Sequence, residues 1–141
     1  MRDLPAADLL LGRADSPELA GAALTVENAD AIVITTPIYK ASFSGLLKTF
    51  LDLLPQTALR GKSVLPIATG GASAHVLALD YALRPVLMSM GAAYVAPAYV
   101  ILEHSITPEA SGGYALSEEG VVKLDEMAER FARVVSLGSL E

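Results

Sequence analysis

The sequence has 141 residues, of which 52% are hydrophobic and 18% charged. This length suits one domain, residues 1–141, with a packed core, and the composition excludes a disordered tail. The absence of cysteine excludes disulfides, thiol catalysis and thiolate zinc sites, and two histidines are too few for most metal clusters, so no metal is predicted. The net charge of −6 argues against nucleic-acid binding, and its concentration in residues 103–141 predicts a solvated acidic helix face.

One uncharged stretch, residues 85–102, is long enough to raise the question of a membrane span. Gly91 and Pro97 interrupt it, which favours a helix end, a turn and a buried strand. The N-terminus lacks the apolar core of a signal peptide. These features predict a soluble cytoplasmic protein without a membrane segment.

The first predicted elements are a helix and a buried strand. Ser16 followed by Pro17 is typical of a helix start, and this helix is predicted to end near Asn28. Residues 31–36 form an apolar, β-branched run, which is the pattern of a strand covered on both faces. Pro37 is predicted to end that strand.

A second helix and a second strand follow. The helix is predicted over residues 44–54, closed by Pro55, and the strand over residues 62–68. Pro66 within the strand indicates an irregularity or a missing hydrogen bond at that position. The residues of the helix predicted to face inward are Leu47, Phe50, Leu51 and Leu54.

The rest of the chain predicts a long helix, a strand, a loop and a last helix. The long helix covers residues 73–90, and Pro85 is expected to bend it or widen one turn. A third strand is predicted over residues 93–102 and a loop over residues 104–114, after which Ser117 opens the last helix. Alternation of helices and strands predicts an α/β fold with a parallel sheet covered on both faces.

Two loops fall where open parallel sheets bind ligands, beyond the carboxyl ends of the strands. The loop at residues 35–45 places Tyr39 and Phe43 at a strand end, where a flat ligand would meet aromatic and backbone groups. The loop at residues 68–75 contains Gly70 and its neighbouring glycine, which allow close approach of the backbone. The alternative is that these residues simply end a strand and form a turn.

The first loop resembles a known family. Residues 36–49, Thr-Pro-Ile-Tyr-Lys-Ala-Ser-Phe-Ser-Gly-Leu-Leu-Lys-Thr, are similar to the flavin-ring loop of NADPH-dependent FMN reductases. The continuation is similar to the alkanesulfonate-utilisation branch, whose members supply reduced FMN to a partner monooxygenase. The segments that carry this closer likeness are residues 51–55, 61–62, 66–71 and 75–87.

The resemblance implies a flavodoxin-like fold that binds FMN at the strand ends. The residues it places beside the isoalloxazine ring are Pro37, Ile38, Tyr39 and Lys40 from the first loop and Thr69, Gly70 and Gly71 from the second. Backbone amides would hydrogen-bond the polar edge of the ring, and the flavin would carry hydride chemistry with NADPH or NADH as donor. The resemblance implies no catalytic acid or base.

Tyr81 is a separate implication of the resemblance. In this branch a tyrosine at the matching position lies in a π-type turn at a tetramer interface, and such turns often mark functional sites. An irregular turn from Tyr81 to Pro85 and a homo-oligomer, either dimer or tetramer, are therefore expected. The alternative is that Tyr81 is an aromatic residue of the core.

The sequence departs from the family pattern at its start. The family begins with a strand, a Ser-rich phosphate loop with an arginine, and a helix, and Met1 aligns just after the second family strand. The expected fold is thus a flavodoxin-like three-layer sandwich lacking its first two strands and first helix, with an open edge at residues 31–36. A start codon placed too late or a clipped sequence is favoured over a genuine remnant, and weak FMN binding is expected if this chain is the whole molecule.

Two other functions are considered from the residues. Ser73 lies between a strand and a helix, as in a hydrolase nucleophile elbow, but His75 stands where that motif requires glycine. Ser73 is better interpreted as a helix N-cap. The second alternative is a truncated, non-catalytic flavodoxin-like module that oligomerises or binds a partner through the apolar helix at residues 73–90.

Overall fold

Two parallel strands form the centre of the fold, and the computed structural model describes residues 4–138 around them. β1 (Ala31–Tyr39) pairs with β3 (Ser63–Gly70) in continuous parallel register from Ala31–Ser63 to Pro37–Thr69. The prediction that Pro37 ends the strand is wrong, since β1 continues to Tyr39. Proline has no backbone N–H to donate to a neighbouring strand. Pro37 is tolerated within β1 because no strand among residues 4–138 pairs with the outer edge of β1 at this position.

The strand on the far side of β3 is interrupted. β4 (Tyr94–Val95) and β5 (Tyr99–Leu102) both pair in parallel with β3, and three residues between them leave the ladder. The single strand predicted over residues 93–102 is therefore two. The gap lies opposite Pro66, whose absent N–H was predicted to disturb pairing, and a second proline, Pro97, lies within the gap itself.

Helices cover the two faces of the sheet unequally. Their bounds are α1 (Ala6–Leu11), α2 (Pro17–Glu27), α3 (Gly45–Leu53), α4 (Val76–Ala78), α5 (Arg84–Ser89) and α6 (Glu118–Gly138). The helices α1, α2, α3 and α5 contribute to a core on one face that includes Leu19, Leu47 and Leu87. On the other face α6 packs Phe131 on Leu65 and Ile67 of β3. The layers are those of a three-layer sandwich.

The second face stays open over β1. Alternate residues of a strand point to opposite faces, and Ile32 and Ile34 pack in the first core. Val33 therefore points to the face covered by α6, which lies over β3 and β5 and leaves Val33 55% exposed. Among residues 4–138 no strand pairs with the outer edge of β1 along residues 31–36, so the expected open edge is present, but the prediction that this strand is covered on both faces is wrong.

The helix predicted over residues 73–90 is segmented. A 3₁₀ turn at Ser73–His75 precedes α4, and a π-helical turn at Leu79–Leu83 separates α4 from α5. Pro85 has no N–H to donate to the carbonyl four residues earlier, so the helical ladder is broken at this point. The expected irregular turn at Tyr81 is confirmed. Tyr81 itself is 80% exposed, so the alternative that it belongs to the core is wrong.

Arg84 joins the π turn to the interrupted edge strand. Its guanidinium donates to the carbonyl oxygens of Val95 at 2.8 Å and Ala96 at 2.9 Å and pairs with Asp80 at 3.0 Å. Val95 is the last residue of β4 and Ala96 is the first residue of the break. Arg84 therefore supplies hydrogen-bond donors to carbonyl oxygens at the point where the edge strand is interrupted.

Replacing Arg84 by lysine is expected to lower the free energy of unfolding by about 1–2 kcal/mol, because one ammonium cannot reproduce the guanidinium's fork of hydrogen bonds. Urea denaturation followed by circular dichroism measures the change. Arg133→Lys is the matched control, since Arg133 is an exposed residue of α6 whose one ion pair within residues 4–138 is with Glu129 at 3.7 Å. Equal stability of the two variants would contradict this role of Arg84.

Short elements complete the described chain. β2 (Ser42–Phe43) forms a hairpin with the end of β1. β6 (Ile106–Pro108) and β7 (Tyr114–Leu116) form a second hairpin where a loop was predicted. Ser117 accepts a hydrogen bond from the amide of Gly120 at 3.2 Å, which confirms it as the start of α6. Within residues 4–138 no helix is long and apolar enough to cross a membrane.

Candidate functional site

The ends of β1 and β3 bring the two predicted loops to one edge of the sheet. Pro37 pairs with Thr69 in parallel register, so both strands finish side by side at their carboxyl ends. The first-loop residues 37–40 and the second-loop residues 69–71 therefore lie at a common edge. This is the position at which open parallel sheets bind ligands.

The first loop is a tight hairpin. Ile38 pairs with Phe43 and Tyr39 with Ser42, which leaves Lys40 and Ala41 as the two turn residues. Both have positive φ, 50° and 60°, the conformation that two-residue hairpins require and that glycine or asparagine usually supplies. Non-glycine residues held in this region store strain, and such strain concentrates at binding sites.

Two hydroxyl groups fix the base of this hairpin. Thr36 is 3% exposed, and its hydroxyl accepts a hydrogen bond from the Ser44 amide at 3.0 Å and donates to the Pro37 carbonyl at 3.1 Å. The Ser44 hydroxyl in turn accepts from the Leu47 amide at 3.2 Å and caps α3. These hydrogen bonds hold both strands of the hairpin at its base. Tyr39, next to the turn, is 65% exposed.

The second loop depends on a close contact between Gly70 and His75. A Cβ placed at Gly70 would lie 2.6 Å from Nδ1 of His75, which is closer than any side chain tolerates. That Nδ1 is buried and has no hydrogen-bond partner among residues 4–138. The His75 amide donates to the carbonyl of Ala72 at 3.0 Å, which closes the turn. A side chain at position 70 would therefore force the His75 ring or the loop to move, whereas the backbone angles of Gly70 impose no such constraint.

The hydrolase alternative finds no support in this loop. Ser73 and His75 lie in one 3₁₀ turn, and no hydrogen bond joins their side chains within the described chain. The interpretation of Ser73 as an N-cap is wrong, because the turn is preceded by Ala72 and the Ser73 hydroxyl caps nothing.

A third loop at the same edge was not predicted. β5 ends at Leu102, which pairs with Gly70, and a 3₁₀ turn at Glu103–Ser105 follows. A carboxylate oxygen of Glu103 lies 4.0 Å from the Cβ position of Gly71. Glu103 is exposed and brings a negative charge to the edge. Its position directly after the third predicted strand is the signal that would have identified it.

The π turn packs against the hairpin of the first loop. Phe43 of the hairpin is 9% exposed and lies in the same buried cluster as Leu79 and Leu83 of the π turn. β2 and the π turn are in direct contact. Tyr81 is therefore not part of the carboxyl edge, but its turn packs against the hairpin that forms one side of that edge.

A mostly parallel sheet with strand order β2-β1-β3-β4, in which only the short β2 is antiparallel among the described residues, and loops gathered at one carboxyl edge define a flavodoxin-like α/β protein. The model of the NADPH-dependent FMN reductase family matches residues 1–107, and the chain belongs to that family.

Relatives and solved structures agree with this assignment. The chain is 59% identical over 92 residues to an FMN reductase (NADPH) of Pseudomonas putida strain KT2440, covering 65% of this chain and 47% of the relative. It is 56% identical over 85 residues to an FMN reductase (NADPH) of Escherichia coli K12, covering 60% and 44%. The chain thus spans about half the length of the curated relatives it matches.

The fold is that of solved flavin oxidoreductases. The apo structure of the NADH:FMN oxidoreductase EMOB superposes with a TM-score of 0.78 at 44% identity, over 92% of this chain and 66% of that one. An oxidoreductase of Corynebacterium diphtheriae gives a TM-score of 0.74 at 32% identity, over 96% and 71%. The predicted flavodoxin-like fold and family are confirmed.

Proposed function

We propose that this chain, acting as a single domain over residues 1–141, forms the ring-binding part of an NAD(P)H-dependent FMN reductase. The parallel pairing of Pro37 with Thr69 carries the proposal, because it places both flavin-loop segments at one edge. Membership of the family supports the reaction class. Relatives named FMN reductase (NADPH) and the Pseudomonas putida NADH-dependent FMN reductase SfnE support either nicotinamide nucleotide as donor.

The arrangement of residues at this edge supports the proposal that an isoalloxazine ring binds there. Residues 37–40 form one rim, and Thr69, Gly70 and Gly71 form the other. Gly71 has no side chain, and the nearest atom to its Cβ position is the Glu103 carboxylate at 4.0 Å, so the backbone stays open to a planar ligand. When bound, the flavin supplies the hydride chemistry. The chain's own part is to bind and orient the ring, and no proton-transfer residue is assigned.

The resemblance of the sequence to the alkanesulfonate-utilisation branch of the family supports a physiological role. We propose that reduced FMN passes to a partner monooxygenase of sulfonate-sulfur metabolism, in the cytoplasm.

We further propose that the π-turn face binds a second copy of the chain in a dimer or tetramer. Three large hydrophobic side chains of this segment are exposed, Leu77 at 53%, Tyr81 at 80% and Met88 at 52%. Exposed apolar side chains that cluster on one segment are typical of an interaction surface. Tyr81→Ala is expected to shift the sedimentation coefficient towards the monomer.

Flavin titration tests the function. Because the proposed contacts are to the ring, FMN and riboflavin are expected to bind the 141-residue chain with dissociation constants within about twofold of each other and weaker than about 1 μM. Quenching of flavin fluorescence measures both. Sub-micromolar FMN affinity, or FMN binding more than about tenfold tighter than riboflavin, would contradict ring-only binding, since a phosphate contact would then contribute at least about 1.4 kcal/mol.

A matched pair of measurements separates the enzyme from the non-catalytic alternative. FMN-dependent oxidation of NADPH or NADH by the same preparation supports the reductase. A stable oligomer with neither flavin binding nor nicotinamide oxidation favours the binding module. Lys40→Gln tests for an electrostatic phosphate contact, since Lys40 is the cation on the first loop, and with ring-only binding it should change FMN and riboflavin binding by the same factor.

A further inference from the structure

A cleft distinct from the carboxyl edge lies between α6 and the interrupted edge strand. It has a volume of about 220 Å³ and opens on the second face of the sheet. Its apolar lining includes Leu65 of β3 and Met127 and Phe131 of α6. Tyr94 of β4 and Tyr99 of β5 line it as well. The lining of the cleft is thus largely apolar and includes two tyrosine side chains.

The break in the edge strand borders this cleft, since Ala96, Pro97 and Ala98 line it. Pro66 and Pro97 cannot donate hydrogen bonds across the gap, so the strand cannot close onto β3 there. Arg84 holds the carbonyl oxygens of Val95 and Ala96 from the other face of the sheet. Ala96 is 4% exposed and too small to fill the space under α6. Two prolines of the sequence therefore keep the edge strand apart from β3 beside the cleft.

The rim of the cleft carries more positive than negative charge. Lys123, Glu126 and Arg130 of α6 line it. Lys123 forms an ion pair with Glu119, which does not line the cleft, and the hydrogen bond and charge of Glu119 raise the pKa of Lys123. Arg130 forms no ion pair with any carboxylate among residues 4–138. The rim thus offers a guanidinium without a fixed partner beside an apolar cavity.

We propose that this cleft binds a small aromatic carboxylate, with the ring in the apolar space between Tyr94 and Tyr99 and the carboxylate paired with Arg130. An apolar cavity of about 150 Å³ is known to hold a benzene molecule, so about 220 Å³ accommodates one substituted ring. Tyrosine rings favour edge-to-face contact with another ring. The planar guanidinium matches a carboxylate through two parallel hydrogen bonds.

Benzoate titrated into the 141-residue chain is the first test. We expect saturable binding with a dissociation constant of about 1 mM, since a ligand of this size has little surface to bury. The NMR signals of the Tyr94 and Tyr99 rings should shift. Benzamide, which has the same shape without the charge, should bind at least about fivefold more weakly, because a charge-assisted pair is about twice as strong as a neutral one. Acetate, which lacks the ring, should not saturate.

Three substitutions on α6 identify the charged contact. Arg130→Gln is expected to weaken benzoate binding at least about fivefold, and Glu126→Gln to strengthen it about twofold by removing a like charge. Arg133→Gln should leave it within about twofold, since Arg133 does not line the cleft. All three positions are exposed, so the variants should fold, which circular dichroism checks. FMN should not displace benzoate, because the carboxyl edge is a separate place.

Several results would overturn the proposal. They are the absence of saturation at about 10 mM benzoate, equal binding of benzoate and benzamide, or unchanged benzoate binding by Arg130→Gln. If a second copy of the chain covers this cleft instead, benzoate fails to bind and Arg130→Gln changes the sedimentation coefficient, which also overturns it.

Discussion

Leu83→Ala is expected to lower the free energy of unfolding by about 2–5 kcal/mol, because the substitution leaves a cavity in a fully buried position. Leu83 is 0% exposed and lies in the π turn, where it belongs to the same cluster as Leu79 and Leu87. The cluster also contains Phe43 of the first-loop hairpin. Urea denaturation gives the change in free energy from the shift of the midpoint at constant slope.

Leu77→Ala is the matched control for Leu83→Ala. It removes the same atoms from the same helical segment, but Leu77 is 53% exposed in the single chain, so at concentrations at which the chain is monomeric its loss should cost less than about 0.5 kcal/mol. If Leu83→Ala costs less than about 1 kcal/mol, the π turn is not packed as the structure places it. If Leu77→Ala costs as much as Leu83→Ala, the Leu77 face is buried in solution, as the proposed second copy would bury it.

Hydrophobic patterns predicted the positions of the central elements well, because the apolar spacing lies in consecutive residues. The run at residues 31–36 forms most of β1, although only one face of this strand is covered and Val33 is exposed. Leu47, Phe50, Leu51 and Leu54 are all buried, as their helical spacing indicated. The irregular turn at Tyr81 followed from the family resemblance and from Pro85. In each case the deciding interaction is local or is carried by a distinctive residue.

Elements that depend on the partner strand were not predictable in the same way. The break between β4 and β5 depends on Pro66, which lies on a neighbouring strand and faces the break only once the register is known. The β6–β7 hairpin and α1 are short, and segments of three to six residues carry little periodic signal. Tertiary packing, and not propensity, decides these segments.

The candidate site also has some features that the sequence predicts and others that depend on tertiary structure. Residues 37–40 and 69–71 were predicted from strand ends and resemblance, and the register brings them together. The positive φ values of Lys40 and Ala41 could not be read from residues that normally avoid that conformation. The contact of His75 with Gly70 likewise depends on a 3₁₀ turn that the sequence did not indicate.

Gly70→Ala is expected to lower the free energy of unfolding by about 1–3 kcal/mol and to weaken flavin binding about tenfold, because the new methyl group overlaps the His75 ring. The Cβ would lie 2.6 Å from Nδ1 of His75, and further contacts to the ring and its Cβ follow at 3.4 Å. Relief requires the ring or the loop to move, and the loop is the proposed flavin rim. Urea denaturation and flavin fluorescence quenching measure the two effects.

Two further variants show whether the clash itself is responsible. Gly71→Ala adds the same methyl group one residue later, where the nearest atom is a Glu103 oxygen at 4.0 Å, so stability should change by less than about 0.5 kcal/mol. In Gly70→Ala combined with His75→Ala the clashing ring is gone, and flavin binding should recover at least half of the lost free energy. A double variant no better than Gly70→Ala alone would show that Gly70 acts through its backbone, and the assigned role of His75 as the packing partner of the loop would then be wrong.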